Sequence, residues 1–203
     1  MADNQFEGKL EEFSYALGLS ISSNLLQSGV KNIDALQFLA GLQDTFAGNK
    51  PKIPMDEASL ILQEFMTANN DSEALKNLEE GYMFLSKNIE NKGVFETETG
   101  LQYKILKEGY GGFPTIDDEV KCHYHGTLLD GTVFDSSVER RQPAVFPVNG
   151  VIQGWVEALQ LMPVGAKWQL YIPSDLAYAE QGAGGLIGPN ATLIFDVELL
   201  EIV

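Results

Sequence analysis

Cysteine, histidine, positive charge and long apolar runs are all scarce in this 203-residue sequence. The single cysteine, Cys122, rules out a disulfide within the chain. Lys and Arg number 13 against 29 Asp and Glu, a net charge of −16. The deficit is shared: residues 1–95 hold 7 basic and 14 acidic side chains, residues 96–203 hold 6 and 15. A phosphate backbone would be repelled everywhere along the chain, so nucleic acid is excluded as a partner. Anionic membrane surfaces are disfavoured on the same ground. No stretch approaches ~18 apolar residues, so no membrane-spanning helix is expected. The N-terminal Met-Ala-Asp-Asn-Gln-Phe-Glu-Gly has no basic segment leading into an apolar one. A cytoplasmic location is expected, or a periplasmic one if a leader was removed.

What is present divides near residue 95. The expected domains are an all-helical 1–95 and a β-rich 96–203. Leu10, Phe13, Leu17, Ile21 and Leu25 recur at helical spacing, with Asp3 or Asn4 to cap the start and Gly29 to end the helix. Asn32 or Asp34 opens a second helix through Leu36, Leu39, Leu42 and Phe46, stopped near Gly48. Pro51 and Pro54 mark a turn. A third pattern starts near Met55 and carries Leu62, Phe65, Leu75, Leu78, Tyr82, Leu85 and Ile89 as far as Gly93. Unbroken, it would span roughly 38 residues and about 57 Å. Asn69-Asn70-Asp71-Ser72 could break it, being poor in a helix interior and good at caps. The unbroken helix is the preferred reading. The two short helices would not cover a rod of that length, so a second copy of the region is expected to pair with it.

From 96 onward the period changes to two. Leu101, Tyr103 and Ile105 alternate, as do Val120, Cys122 and Tyr124, and Leu193, Phe195 and Val197. Asp130-Gly131 between apolar strands signals a hairpin. Residues 151–162 read as one short helix, broken at Pro163-Val164-Gly165. Lys167 to Ile172 reads as another strand, and 179–189 as a glycine-rich loop. The expected fold class is α+β, with about five antiparallel strands around one short helix.

Most templates for catalysis fail. His123 and His125 share one strand face, yet no third ligand is spaced to complete a metal site. Two solvent-facing histidines is the simpler reading. Cys122 alternates onto the buried face with Tyr124, so it is expected to be inert. Gly182-Ala183-Gly184-Gly185 is followed by no Lys-Ser/Thr and cradles no phosphate. No carboxylate pair stands out as an acid–base couple. The remaining feature is aromatic: Tyr124, Phe134, Phe146, Trp155, Tyr178 and Phe195 in one small domain, with Asp135 beside Phe134 and Arg140 five residues on.

Several segments identify a family. Val120-Lys121-Cys122-His123-Tyr124-His125-Gly126 with Asp130-Gly131-Thr132-Val133-Phe134-Asp135-Ser136-Ser137 resembles the FK-binding (FKBP) type of peptidyl-prolyl cis-trans isomerase. So do Val151-Ile152-Gln153-Gly154-Trp155, Ile172-Pro173-Ser174-Asp175-Leu176-Ala177-Tyr178 and Ala191-Thr192-Leu193-Ile194-Phe195-Asp196-Val197. Residues 1–95 resemble the N-terminal part of bacterial two-domain members similar to the macrophage infectivity potentiator. The resemblance implies a helical dimerisation domain with a long connecting helix, then a sheet wrapped on a short helix with an apolar pocket between. It implies that Trp155 floors the pocket and that Tyr124, Phe134, Phe146, Val151, Ile152, Ala177, Tyr178, Leu186, Ile187 and Phe195 line it. It implies that Asp135 is a buried carboxylate at its edge anchoring Tyr124 or Arg140, and that Tyr178 supplies a hydroxyl to a substrate carbonyl. Ala144 and Ala183 stand where many members carry an aromatic and a histidine, so inhibitor affinity and substrate preference should differ. The implied partners are proline-containing and unfolded polypeptides, a second copy of the chain through 1–95, and macrolides such as tacrolimus or rapamycin. Neither metal nor cofactor is implied. A dimeric chaperone in which isomerisation is secondary is the alternative reading. If catalysis is primary, residues 96–203 alone should match the whole chain on a short peptide.

Overall fold

The computed structural model describes residues 6, 8–28, 30 and 32–203. Packing divides the chain into two compact units, one of residues up to 69 together with 184–186, the other of 70–183 and 187–203.

The first unit contains α1 (Lys9–Gln27), α2 (Ala35–Ala47) and the start of α3 (Met55–Asn88). Gly8 is the N-cap of α1; the expected caps Asp3 and Asn4 and the stop at Gly29 lie outside the described residues. Asp34 caps α2, its Oδ1 accepting from the N–H groups of Leu36 at 2.9 Å and Gln37 at 3.1 Å. Gly48 ends α2 in the left-handed conformation, φ 67°. The backbone of α3 is helical without interruption through 69–72 and stops at Asn88, five positions before the expected Gly93. No described residue before Gly81 is buried, so neither α1 nor α2 closes a core within one chain.

The second unit holds β1 (Val94–Glu96), β2 (Gln102–Lys107), β3 (Glu119–Thr127), β4 (Val133–Ser136), β5 (Ala144–Pro147), α4 (Gln153–Leu161), β6 (Lys167–Ile172) and β7 (Leu193–Ile202). Every strand pair is antiparallel, in the order β1-β2-β6-β7-β3-β4, with β5 also on β3. The expectation of about five strands omitted β1 and β5, which have 3 and 4 residues. Such short edge pieces carry too few residues to show alternation. The core-facing residues are the alternating ones: Val120 and Cys122 on β3, Leu170 and Ile172 on β6, Leu193, Phe195, Val197 and Leu199 on β7. Against them pack Trp155, Ala158 and Leu159 of α4. Gly154 lets the helix approach, because a Cβ there would lie 2.5 Å from Ile172 Cγ2.

The other face of the sheet is covered by the end of α3. Gln102 and Tyr171 are register partners on β2 and β6 and point away from α4, since Leu101, Tyr103, Leu170 and Ile172 belong to the core. Phe84 packs on Tyr171, ring centroids 5.8 Å apart. Gln102 is 1% exposed, and its amide is fully used. Nε2 donates to Leu85 O at 3.0 Å and Glu96 Oε2 at 2.7 Å, while Oε1 accepts from Asn88 Nδ2 at 2.9 Å.

Candidate functional site

The site is built where the outer edge of β3 changes partner. Residues Glu119, Val120, Lys121 and Cys122 pair with β5, and His125, Gly126 and Thr127 pair with β4. Between them the chain leaves the sheet, and Ser137 replaces the missing strand. Its Oγ accepts from Tyr124 N at 2.7 Å, and its own N–H donates to Tyr124 O at 3.0 Å. The turn that follows is closed by Arg140 N to Ser136 O at 3.3 Å and Gln142 N to Ser137 O at 3.1 Å. It carries Arg140 back over Tyr124, with its guanidinium carbon 5.6 Å from the ring centroid.

Trp155 lies at the start of α4 and is 4% exposed. Three rings meet it edge-on: Tyr124 at 5.5 Å, Phe146 at 5.4 Å and Phe195 at 5.2 Å. Phe134 extends the cluster against Phe195 at 5.3 Å and 83°. These edge-to-face geometries are the favourable ones for aromatic quadrupoles. Val151, Ile152, Ala177, Phe134, Phe146 and Tyr124 are half-buried around the buried Trp155, Phe195 and Ile187. Trp155 thus sits at the base of a ring-lined surface. Gly126, to which sequence reasoning gave no role, makes room for it: a Cβ there would stand 2.7 Å from ring atoms of both Phe134 and Phe195.

Tyr124, Asp135 and Arg140 form one polar network at the edge of the rings. Tyr124 Oη donates to Asp135 Oδ2 at 2.7 Å, and Arg140 Nη2 donates to Tyr124 Oη at 2.7 Å. Arg140 Nη1 pairs with Asp135 Oδ1. Asp135 anchors both candidates. The expectation of a buried carboxylate is corrected: its side chain is 43% exposed, since it lies at the rim beside the Arg140 turn. Burial pushes its pKa up, but the Tyr124 hydroxyl and the Arg140 guanidinium outweigh that and hold it below the ordinary carboxylate range. Because the folded value is depressed, the network's contribution is complete above the ordinary carboxylate range and is lost as pH falls through the lowered value. The Tyr124 hydroxyl is pushed up, by burial first and by Asp135 second, so it stays protonated as the donor.

Tyr178 differs. It is 39% exposed, and among the described residues its hydroxyl makes no hydrogen bond. A groove borders it, lined by Ala177, Ala179, Gln181, Asn190 and Leu78 of α3. Leu186 is 54% exposed in the turn that the Ala183–Ile187 bridge closes.

The two histidines lie on the face of β3 opposite the core residues Cys122 and Tyr124 and line a surface depression there. Each is half-buried and bonded to a serine, His123 Nδ1 to Ser137 Oγ and His125 Nδ1 to Ser136 Oγ, both at 3.0 Å. Ser136 is the last residue of β4 and Ser137 opens the turn that replaces the strand. Among the described residues no cluster of three or more His, Cys, Asp or Glu is placed to hold a metal ion. Cys122 is fully buried, and burial pushes its thiol up to about 12.

Comparisons with known proteins identify the family. Residues 111–200 match the model of the FKBP-type peptidyl-prolyl cis-trans isomerase, and residues 10–105 match that of the domain amino terminal to it. The FKBP-type 22 kDa peptidyl-prolyl cis-trans isomerase of Escherichia coli is 46% identical over 195 residues, 93% of each chain. A Legionella longbeachae protein named outer membrane protein MIP is 39% identical over 200 residues, 95% of this chain and 85% of that one. The crystal structure of FkpA from Escherichia coli superposes with a TM-score of 0.69 at 38% identity, covering 97% of this chain and 98% of the other. Among the described residues no helix is long and apolar enough to cross a membrane. In sequence and in fold, this chain belongs to the FKBP-type peptidyl-prolyl cis-trans isomerases.

Proposed function

We propose that this protein is a peptidyl-prolyl cis-trans isomerase that receives a proline side chain over Trp155 and eases rotation about the preceding peptide bond. The observation that carries this reading is the base formed by a buried Trp155 and the edges of Tyr124, Phe146 and Phe195. The barrier of an X–Pro bond comes from amide resonance, ~18–20 kcal/mol for a peptide bond in general. At the twisted transition state resonance is lost, the carbonyl oxygen carries less negative charge, and the nitrogen becomes pyramidal. An apolar surface that removes water from the imide disfavours the planar polar state more than the twisted one. No bond is cleaved, so neither a nucleophile nor an acid–base pair is needed.

The polar residues then take separate roles. The Tyr124 hydroxyl is committed to Asp135 and Arg140, so it fixes the rim rather than binding substrate. The Tyr178 hydroxyl is the free donor and is assigned to the substrate carbonyl. Tyr178→Phe is expected to lower kcat/KM on an X–Pro tetrapeptide about fivefold, the rate equivalent of one hydrogen bond. Equal rates would remove that donor. Asp135→Asn is expected to lower turnover by a similar factor while the melting temperature barely moves, since exposed ion pairs are worth ~0–1 kcal/mol. Unchanged turnover would reduce Asp135 to a structural role. The direct test of the whole reading is a protease-coupled or NMR-exchange assay with and without tacrolimus. No acceleration by the wild-type chain would overturn it.

A second reading concerns assembly. Leu10, Phe13, Leu36, Leu39 and Phe46 are exposed on α1 and α2. We propose that a second copy covers them through the 1–95 region and that unfolded polypeptides are held by the pair. Light scattering is expected to give twice the chain's mass; a monomer at micromolar concentration would discard the pairing.

A further inference from the structure

Most of the apolar stripe in the second half of α3 is not on the face that packs; Leu85 is the exception. Leu75, Leu78 and Tyr82 are all exposed. The residues turned inward are Glu73, Ala74, Asn77, Gly81, Phe84, Leu85 and Asn88, a succession at three- and four-residue steps that defines one face. From Glu73 to Gly81 that face is small or polar and lies on the loop that follows Tyr178, whereas Phe84 and Leu85 lie over the sheet. Asn77 Nδ2 donates to Pro189 O at 2.8 Å. A Cβ on Gly188 would stand 2.9 Å from Glu73 Oε1 and 3.1 Å from Asn77 Nδ2. A Cβ on Gly81 would stand 2.3 Å from Thr192 Oγ1, so glycine is required for the helix to lie this close.

From Pro189 the connection runs on to the site. The next residue, Asn190, donates its N–H to Ala179 O at 2.7 Å. Ala179 directly follows Tyr178. Both Asn190 and Ala179 have left-handed backbones, φ 54° and 47°. Asparagine tolerates that conformation, but alanine holds it only where its surroundings impose it. The same loop carries Ile187, buried against the core that includes Trp155.

We infer that Asn77 is a positioning residue for the isomerase site: by fixing Pro189 it holds Asn190 on Ala179, and so sets where Tyr178 presents its hydroxyl. The second half of α3 is then a working part of the catalytic unit, and a fragment beginning at 96 lacks it. This inference rests on the isomerase reading and on the role given to Tyr178.

The test uses the full chain. Asn77→Asp keeps the shape and removes the donor. Gly188→Ala, where the backbone accepts a Cβ, crowds the Glu73 carboxylate and the Asn77 amide from the other side and is expected to loosen the Asn77 bond. Each is expected to lower kcat/KM on an X–Pro tetrapeptide about fivefold. Each is also expected to speed amide hydrogen exchange at Asn190 on the order of tenfold while Val197 in β7 stays protected. The double variant should fall short of the product of the two single effects, because both break one contact. If the wild-type chain does not accelerate the peptide, the isomerase reading itself has failed. If it does, and either the rate or the Asn190 exchange is unchanged in both variants, the positioning role is overturned. Equal acceleration of exchange at Asn190 and Val197 also overturns it, since the effect would then be global.

Discussion

Trp155→Ala is expected to give the largest loss in both stability and activity. The indole is 4% exposed and contacts Tyr124, Phe146 and Phe195 edge-on. Removing it takes away the largest buried ring of the cluster and leaves a cavity that α4 cannot close, because Ala158 and Leu159 already fill the next turn. Truncations of this kind cost about 3–5 kcal/mol. Chemical denaturation should therefore show a lower midpoint at an unchanged slope. Activity should fall below detection, though that alone does not separate floor from fold. Trp155→Phe makes the separation. Among the described residues the Trp155 Nε1 hydrogen is buried without an acceptor, so phenylalanine forfeits no hydrogen bond. This variant should stay folded while peptide and macrolide affinity drop about tenfold, the effect of losing ~1.4 kcal/mol of buried contact. Wild-type affinity in Trp155→Phe would remove the indole from the binding surface.

Three members of the ring cluster were legible in the sequence because each obeys a period that points it inward, while Phe134 and Phe146 were placed only by the family resemblance. Tyr124 follows Val120 and Cys122 by steps of two, Phe195 lies between Leu193 and Val197, and Trp155 heads the apolar face of a short helix. The cap at Asp34 and the stop at Gly48 were legible for the same local reason. Hydrophobic periodicity misled in the middle of α3, where it selects Leu75, Leu78 and Tyr82 and the packed face is Ala74, Asn77 and Gly81; it held at Leu85, which turns inward beside Phe84. Apolar spacing reports a face that buries area. A helix brought against a loop by backbone hydrogen bonds needs small and polar residues instead, and Gly81 was the one sign of it. Asp135 was expected to be buried only through the family resemblance; the turn at 136–142, set by Ser136 and Ser137, brings it to the rim. β5 escaped notice because its pairing with Glu119, Val120, Lys121 and Cys122 depends on the turn that Ser137 organises, a non-local cause.

Gly126→Ala should disable the site with the smallest possible addition. Gly126 is buried on β3 opposite Asp135, and its φ is not of the left-handed kind, so alanine fits the strand. The obstacle is steric. The new Cβ would lie 2.7 Å from Phe134 Cε2 and Cζ and 2.7 Å from Phe195 Cε1. Phe195 is buried against Trp155 and has little room to retreat, whereas Phe134 is half-buried and can swing outward. The wall should therefore open on the Phe134 side and unseat Phe134 from its edge-on contact. Overpacking of this sort costs about 1–3 kcal/mol. A mispositioned wall should reduce kcat/KM on an X–Pro peptide about ten- to a hundredfold. Near-UV circular dichroism would verify that the molecule remains folded during the assay. Gly112→Ala is the control: the nearest atom to its added Cβ is Ile202 Cδ1 at 3.9 Å, and rate and stability should both match wild type. A folded Gly126→Ala protein of normal activity would mean that the Phe134–Phe195 wall does not touch the proline, and the slot would have to lie elsewhere on the domain.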